Sequence, residues 1–98
     1  MTTTNPVLGI IGGGQLGSML ASAAKKFKIK TIVLSDDLKA PAKNFCDEII
    51  ITDYKKIKKI DDFINKVDLV TFEFENIPFK VLDYILKHKP IFPKPSIN

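Results

Sequence analysis

The chain has 98 residues, enough for one small domain. Apolar residues make up 45% and charged residues 27%, ordinary globular values that exclude an intrinsically disordered chain. The formal net charge is +4, and all fifteen basic residues are lysine. Because bidentate hydrogen bonds to bases and phosphates favour arginine, which the chain lacks, we expect no nucleic-acid partner.

Apolar runs alternate with helical patterns along the chain. Strands are predicted at residues 7–11, 31–34, 48–51, 68–72 and 91–92. Helices are predicted from residue 15 to 27 and briefly within 40–45. Two more are predicted after candidate N-caps at Thr52 or Asp53 and at Asn76, with apolar stripes over residues 57–67 and 81–86. The predicted buried stripe of the first helix contains Leu16, Met19, Leu20, Ala23, Ala24 and Phe27.

The alternation of strands and helices predicts the fold class. We expect a Rossmann-like, three-layer α/β domain, with helices on both faces of a parallel sheet of about five strands. With right-handed crossovers, and with the first helix and the later helices on opposite faces, the expected strand order is 3-2-1-4-5. No repeat or linker divides the chain, so residues 1–98 are predicted to form a single domain.

A glycine-rich loop follows the first predicted strand and opens the first helix. Gly12, Gly14 and Gly17 match the pattern G-x-G-x-x-G. Glycine permits a tight turn and close approach of a ligand, and the helix N-terminus offers unpaired N–H groups. The loop is therefore a candidate binding site; the structural alternative is a turn that only packs the helix on the strand.

Two further polar residues, Glu73 and Asn76, follow the fourth predicted strand. Strands one and four are neighbours in the expected order, so Glu73 should face the glycine loop across one pocket. A carboxylate there repels phosphate unless a cation intervenes and suits a sugar hydroxyl or an amine, while Gln15 adds a donor and an acceptor. The pocket is therefore expected to bind a sugar-like or amine-bearing molecule, with its phosphate near the end of the helix. The simpler interpretations are a strand-end carboxylate for Glu73 and a helix cap for Asn76.

Two segments together give a distinctive family resemblance. Residues 10–17, followed by Met19 and Leu20, and residues 71–78 resemble the 5-(carboxyamino)imidazole ribonucleotide synthases, the ATPase-type subunits of phosphoribosylaminoimidazole carboxylase. Residues 40–42, Asp47 and residues 93–96 look similar too. The resemblance covers nearly the whole chain and identifies it as the N-terminal, pre-ATP-grasp domain of that family.

The resemblance implies a function in purine biosynthesis. The full-length ligase would use ATP and bicarbonate to carboxylate 5-aminoimidazole ribonucleotide, giving 5-carboxyaminoimidazole ribonucleotide, ADP and phosphate. ATP and Mg²⁺ would be bound by the ATP-grasp and C-terminal domains, which are not in these 98 residues. The fragment alone is thus expected to be inactive, with no catalytic residue, cofactor site or metal site, and the full-length enzyme to be a homodimer.

The resemblance also implies substrate contacts. Gln15, Leu16 and Glu73 would touch the ribonucleotide, and Ser18 stands where many members have arginine, so a phosphate contact is missing or supplied elsewhere. With the neighbouring loop and strand-end positions, the candidate substrate-binding residues are Gly14, Gln15, Leu16, Gly17, Glu73 and Asn76.

Other features of the chain bear on its environment. No apolar run reaches the roughly 18–20 residues of a membrane span, and residues 1–6 lack the features of a signal peptide. Cys46 is the single cysteine, which excludes an internal disulfide and a cysteine-built zinc site. We therefore expect a cytoplasmic protein without a membrane partner.

Two alternatives stay open at this point. A small NAD(H)-binding regulatory Rossmann module would use the glycine loop together with Asp36 or Asp37 after the second strand, and would bind NAD(H). A pure interaction domain would keep its function after the substitution Glu73→Gln.

Overall fold

The computed structural model describes residues 5–73 and 77–93. Its strands pair only in parallel, in the order β3-β2-β1-β4. This confirms the predicted parallel α/β architecture. None of the helices in the described ranges is long and apolar enough to cross a membrane. The elements are β1 (Val7–Ile11), α1 (Gln15–Lys26), β2 (Lys30–Ser35), a 3-10 turn (Pro41–Asn44), β3 (Glu48–Ile51), α2 (Ile57–Lys66), β4 (Leu69–Phe72) and α3 (Phe79–Leu86).

Successive side chains of the central strands enter two separate cores, as the period of two in a strand requires. Ile10 and Val33 belong to a small core with α1 and the 3-10 turn. Their neighbours Ile11, Ile32 and Leu34 belong to the main core with α2 and α3. Helices therefore cover both faces of the sheet, which confirms the three-layer prediction.

The predicted fifth strand is reduced, in the described part of the chain, to an isolated bridge. Ile91 pairs in parallel with Val70, and the Phe92 N–H donates to the Val70 carbonyl at 2.8 Å. Pro90 and Pro93 flank this bridge and have no N–H with which to extend a ladder. The prediction of a five-stranded sheet in the order 3-2-1-4-5 is therefore wrong in its last strand, although the segment does lie beside β4.

Helix α1 buries only part of the stripe that its sequence predicts, namely Ala24 and, in part, Leu20. Met19 is 60% exposed, and Phe27, just past the end of the helix, is 77% exposed. Small side chains let the helix lie close against the sheet, so backbone contact, not side-chain size, sets its rotation. The buried residues of α1 are Gly17, Ser18, Ala21 and Ala24.

The main core lies between the sheet and helices α2 and α3. Phe63 on α2 is fully buried, and its ring lies on Gly9 of β1. A Cβ built on Gly9 would come within 2.5 Å of the Phe63 Cζ atom. The missing side chain at Gly9 is thus what allows α2 to pack on the middle of the sheet.

Candidate functional site

The glycine loop lies at the carboxyl edge of the sheet, between β1 and α1. Gly12 has φ of +101°, a left-handed conformation that favours glycine. Its N–H donates to the Leu34 carbonyl at 2.7 Å, which fixes the loop to β2. Gly13 packs tightly on Ala40 and Ser35, where an added Cβ would meet their Cβ atoms at 2.6 and 3.0 Å. The loop backbone is thus held on two sides.

Glu73 follows β4 and lies directly against this loop, which confirms the predicted juxtaposition. Its Oε1 accepts a hydrogen bond from the Gly14 N–H at 3.1 Å, and its Oε2 accepts one from the Gly17 N–H at 3.0 Å. The side chain is only 9% exposed. Glu73 therefore caps the N-terminus of α1 from a distant strand, where the helix dipole stabilises a negative charge.

The glycines of the loop make room for this carboxylate. A Cβ on Gly12 would lie 2.3 Å from the Glu73 Cγ, and a Cβ on Gly14 would lie 3.0 Å from its Oε1. A pyrophosphate placed on the same N–H groups would meet the carboxylate at hydrogen-bond distance and be repelled. The arrangement thus gives no support to the NAD(H)-binding alternative.

A cavity of about 250 Å³ opens beside Glu73. Among the described residues that line it, three carry carboxylates and none is a lysine. Such a lining suits a ligand that presents hydroxyl groups or an amine. The lining residues are Gly12, Gly13, Gly14, Ser35, Asp36, Asp37, Tyr54, Glu73 and Ile77.

Tyr54, in the loop after β3, is the cavity residue that sequence reasoning missed most clearly. It is 9% exposed, and burial raises the pKa of its phenol well above the ordinary value, with the carboxylates of Asp36 and Glu73 raising the pKa further. The hydroxyl therefore stays protonated at neutral pH and can donate or accept a hydrogen bond. Its one sequence signal was its position just after a strand end at the same edge of the sheet. Ser35 and Ile77 were missed too, while Asp36 and Asp37 had entered only through the NAD(H) alternative.

The buried phenol makes stability fall at alkaline pH. The folded chain holds the Tyr54 proton more tightly than the unfolded chain, whose tyrosines ionise near pH 10. The folded state then binds more protons, so the free energy of unfolding decreases as the pH rises above about 10. Urea unfolding in a Tyr84→Phe background, where Tyr54 is the single tyrosine, measures this decrease. Adding Tyr54→Phe should flatten the decrease, and an equally steep decrease would contradict the assignment.

The structure places the other predicted site residues less centrally. Gln15 and Leu16 lie in the first turn of α1 with exposed side chains, beside the cavity but not in its lining. Asn76 lies outside the described residues. The structure therefore brings Gly14, Gly17 and Glu73 into contact and leaves Gln15 and Leu16 at the adjoining surface. Within residues 5–73 and 77–93, no group of three or more histidine, cysteine or acidic side chains is placed to hold a metal ion.

Comparison with known sequences shows which family and which proteins this chain is similar to. Residues 5–97 match the family described as the ribonucleotide synthetase preATP-grasp domain. The N5-carboxyaminoimidazole ribonucleotide synthase of Brucella melitensis is 37% identical over 89 residues, which cover 91% of this chain and 25% of that protein. The synthase of Staphylococcus aureus strain COL is 41% identical over 70 residues, covering 71% of this chain and 19% of that protein. The chain thus spans about a quarter or less of these curated relatives.

Solved structures show the same likeness. The N5-carboxyaminoimidazole ribonucleotide synthetase of Thermus thermophilus matches with a TM-score of 0.82 and 31% identity, covering 88% of this chain and 24% of that chain. The synthase of Aspergillus clavatus, solved in complex with ADP and 5-aminoimidazole ribonucleotide, matches with a TM-score of 0.73 and 29% identity. That match covers 89% of this chain and 23% of the Aspergillus chain.

Proposed function

The chain belongs to the ribonucleotide synthetase preATP-grasp domain family, and from this premise we propose that it is the N-terminal domain of an ATP-dependent ligase of purine biosynthesis. The ligase carboxylates 5-aminoimidazole ribonucleotide with bicarbonate and ATP, giving 5-carboxyaminoimidazole ribonucleotide, ADP and phosphate. Within that enzyme, this domain supplies one side of the ribonucleotide site.

The observation that carries the proposal is the Glu73 carboxylate held at the mouth of an acidic cavity. Each of its oxygens accepts one backbone N–H and keeps further acceptor capacity for a ligand. A ribose hydroxyl or the substrate amine can donate to it, and Tyr54 adds a protonated hydroxyl nearby. Because the cavity carries three carboxylates, the phosphate of the ribonucleotide must point away from it, toward cations supplied elsewhere.

The chemistry of this domain is therefore binding and orientation. The two N–H groups of Gly14 and Gly17 fix the carboxylate of Glu73 before any ligand arrives, so little ordering entropy remains to be lost on binding. Positioning of this kind contributes to catalysis by holding the reacting amine in place. We assign ATP, Mg²⁺ and the bicarbonate site to the domains that follow in the full-length enzyme, which we expect to be a cytoplasmic homodimer.

A chimera tests the proposal. This chain would replace the matching N-terminal region of the Staphylococcus aureus synthase, and ADP release would be measured with and without 5-aminoimidazole ribonucleotide and bicarbonate. We expect ADP release that depends on the ribonucleotide. Glu73→Gln should lower kcat/KM for the ribonucleotide by about 10- to 100-fold, the usual effect of losing a hydrogen bond to a charged group, and leave KM for ATP nearly unchanged.

The matched control is Glu48→Gln. Glu48 forms an exposed ion pair with Lys66 at 2.7 Å, away from the cavity, so its substitution should leave the kinetics of the chimera unchanged. A folded chimera that hydrolyses ATP regardless of the ribonucleotide would contradict the proposed function. Unchanged kcat/KM in the Glu73→Gln chimera would contradict the assigned role of Glu73.

A further inference from the structure

A second cavity, of about 350 Å³, lies between the N-terminal halves of α2 and α3. It is separate from the acidic cavity beside Glu73, although Tyr54 contributes to both. Its volume falls within the range of about 300–1,000 Å³ found for small-molecule sites. The apolar walls are formed by Tyr54, Ile57, Ile60, Pro78, Val81 and Tyr84.

The walls of this cavity are fixed by the core. Ile60 and Val81 are buried members of the main core, and Tyr54 is nearly as buried. The hydroxyl of Tyr84 donates to the Asp61 Oδ1 at 2.6 Å, which fixes the position of its ring along the wall. An apolar group that entered the cavity would therefore meet an ordered surface and would not have to organise it.

Charge distinguishes this cavity from its neighbour. Lys55 and Lys80 line it, both are exposed residues, and none of its described lining residues is acidic. The cavity beside Glu73 carries three carboxylates and no lysine among its described lining residues. Two cavities that share Tyr54 but carry opposite charges select different ligands.

We propose that the apolar cavity binds a small amphiphilic anion, with a flat or branched apolar group between α2 and α3 and a carboxylate, sulfonate or phosphate at Lys55 and Lys80. Apolar walls supply the burial and the two ammonium groups supply the orientation. The site is distinct from the ribonucleotide site and does not depend on the proposed ligase activity.

The chain provides its own reporters for this site. It has two tyrosines and no tryptophan, and both tyrosines line the cavity. Protein carrying ¹³C-labelled tyrosine rings would be titrated with 2-naphthoate and, separately, with 2-naphthylmethylammonium, which has the same rings and the opposite charge. We expect saturable shifts of both tyrosine signals with naphthoate, and binding of the cation weaker by about tenfold or more.

Substitutions of the two lysines test where the anionic group of the ligand binds. Lys55→Gln and Lys80→Gln should each weaken naphthoate binding by about two- to fivefold, the usual effect of one exposed charge. Lys59→Gln is the matched control, because Lys59 is exposed on the same helix as Ile57 but does not line the cavity. Ile57→Glu, at a rim position that is 48% exposed, should abolish binding while the chain stays folded.

Three results would overturn the proposal. Equal binding of the two naphthalene ions would show that the cavity binds apolar rings without selecting for charge. Shifts confined to Tyr54 would place the ligand in the acidic cavity instead. A dimer in sedimentation whose tyrosine signals do not respond to naphthoate would mean that a second copy covers the cavity.

Discussion

Alanine in place of Gly17 should lower the free energy of unfolding by about 3 kcal/mol or more, although alanine is the better helix former by about 1 kcal/mol. An added Cβ would lie 2.3 Å from the Gly12 carbonyl oxygen. Backbone atoms of a held loop cannot move aside as the end of a side chain can. Helix α1 would have to retreat from β1, and the Gly17 N–H would leave the Glu73 carboxylate that it now meets at 3.0 Å.

Urea unfolding followed by circular dichroism measures the effect of Gly17→Ala. Ser22→Ala is the control, because Ser22 lies on the same helix, is only partly buried, and should tolerate alanine within about 0.5 kcal/mol. Unchanged stability in Gly17→Ala would show that the contact between α1 and the glycine loop is looser than the structure describes.

Phe63→Ala should lower the free energy of unfolding by about 3–5 kcal/mol, the usual range for removing a buried aromatic ring from a core. Phe63 is fully buried between α2 and the sheet, and its ring supports both Gly9 and the interior of the main core. A domain of this size has only about 5–15 kcal/mol of stability, so the variant would lie near its unfolding transition. Urea denaturation gives the loss in the free energy of unfolding. Phe27→Ala, at a position that is 77% exposed, should change this free energy by less than about 1 kcal/mol.

A double-mutant cycle makes this second prediction specific. Gly9→Ala alone should destabilise the chain, because the new methyl group would collide with the Phe63 ring and with Val67, 2.9 Å away. In the Phe63→Ala background the collision with the ring is gone, and only the contact with Val67 remains. The loss in the double variant should therefore be smaller than the sum of the two single losses. Simple additivity would contradict the contact between Gly9 and Phe63.

Much of the fold could be predicted from the sequence because its signals are local and agree with one another. Apolar runs such as residues 7–11 predict strands buried on both faces, and the helices between them require parallel pairing. The position of Glu73 followed from topology: a residue just past strand four must lie near the loop after strand one when those strands are neighbours.

The wrong prediction for the buried face of α1 and the failure to identify Tyr54 have a common physical cause. Periodicity in α1 assigns Met19 and Phe27 to the buried face because they are large and apolar, yet Gly17 and Ala21 face the sheet because they are small. Close approach of two backbones leaves no periodic signal of its own. Tyr54 was missed for a related reason, because a loop residue belongs to no repeating pattern and its place follows from packing in the main core with residues of α2 and α3.

The two hydrogen bonds of Glu73, to Gly14 and Gly17, join positions that are 59 and 56 residues apart in the chain. During synthesis, β1 and the start of α1 leave the ribosome long before residue 73 does. Until β4 arrives, one edge of β1 has no partner and the first turn of α1 lacks its cap. Contacts between distant positions are slow to form. The candidate site therefore cannot be complete until β4 has paired with β1, and the same pairing adds the fourth strand to the sheet.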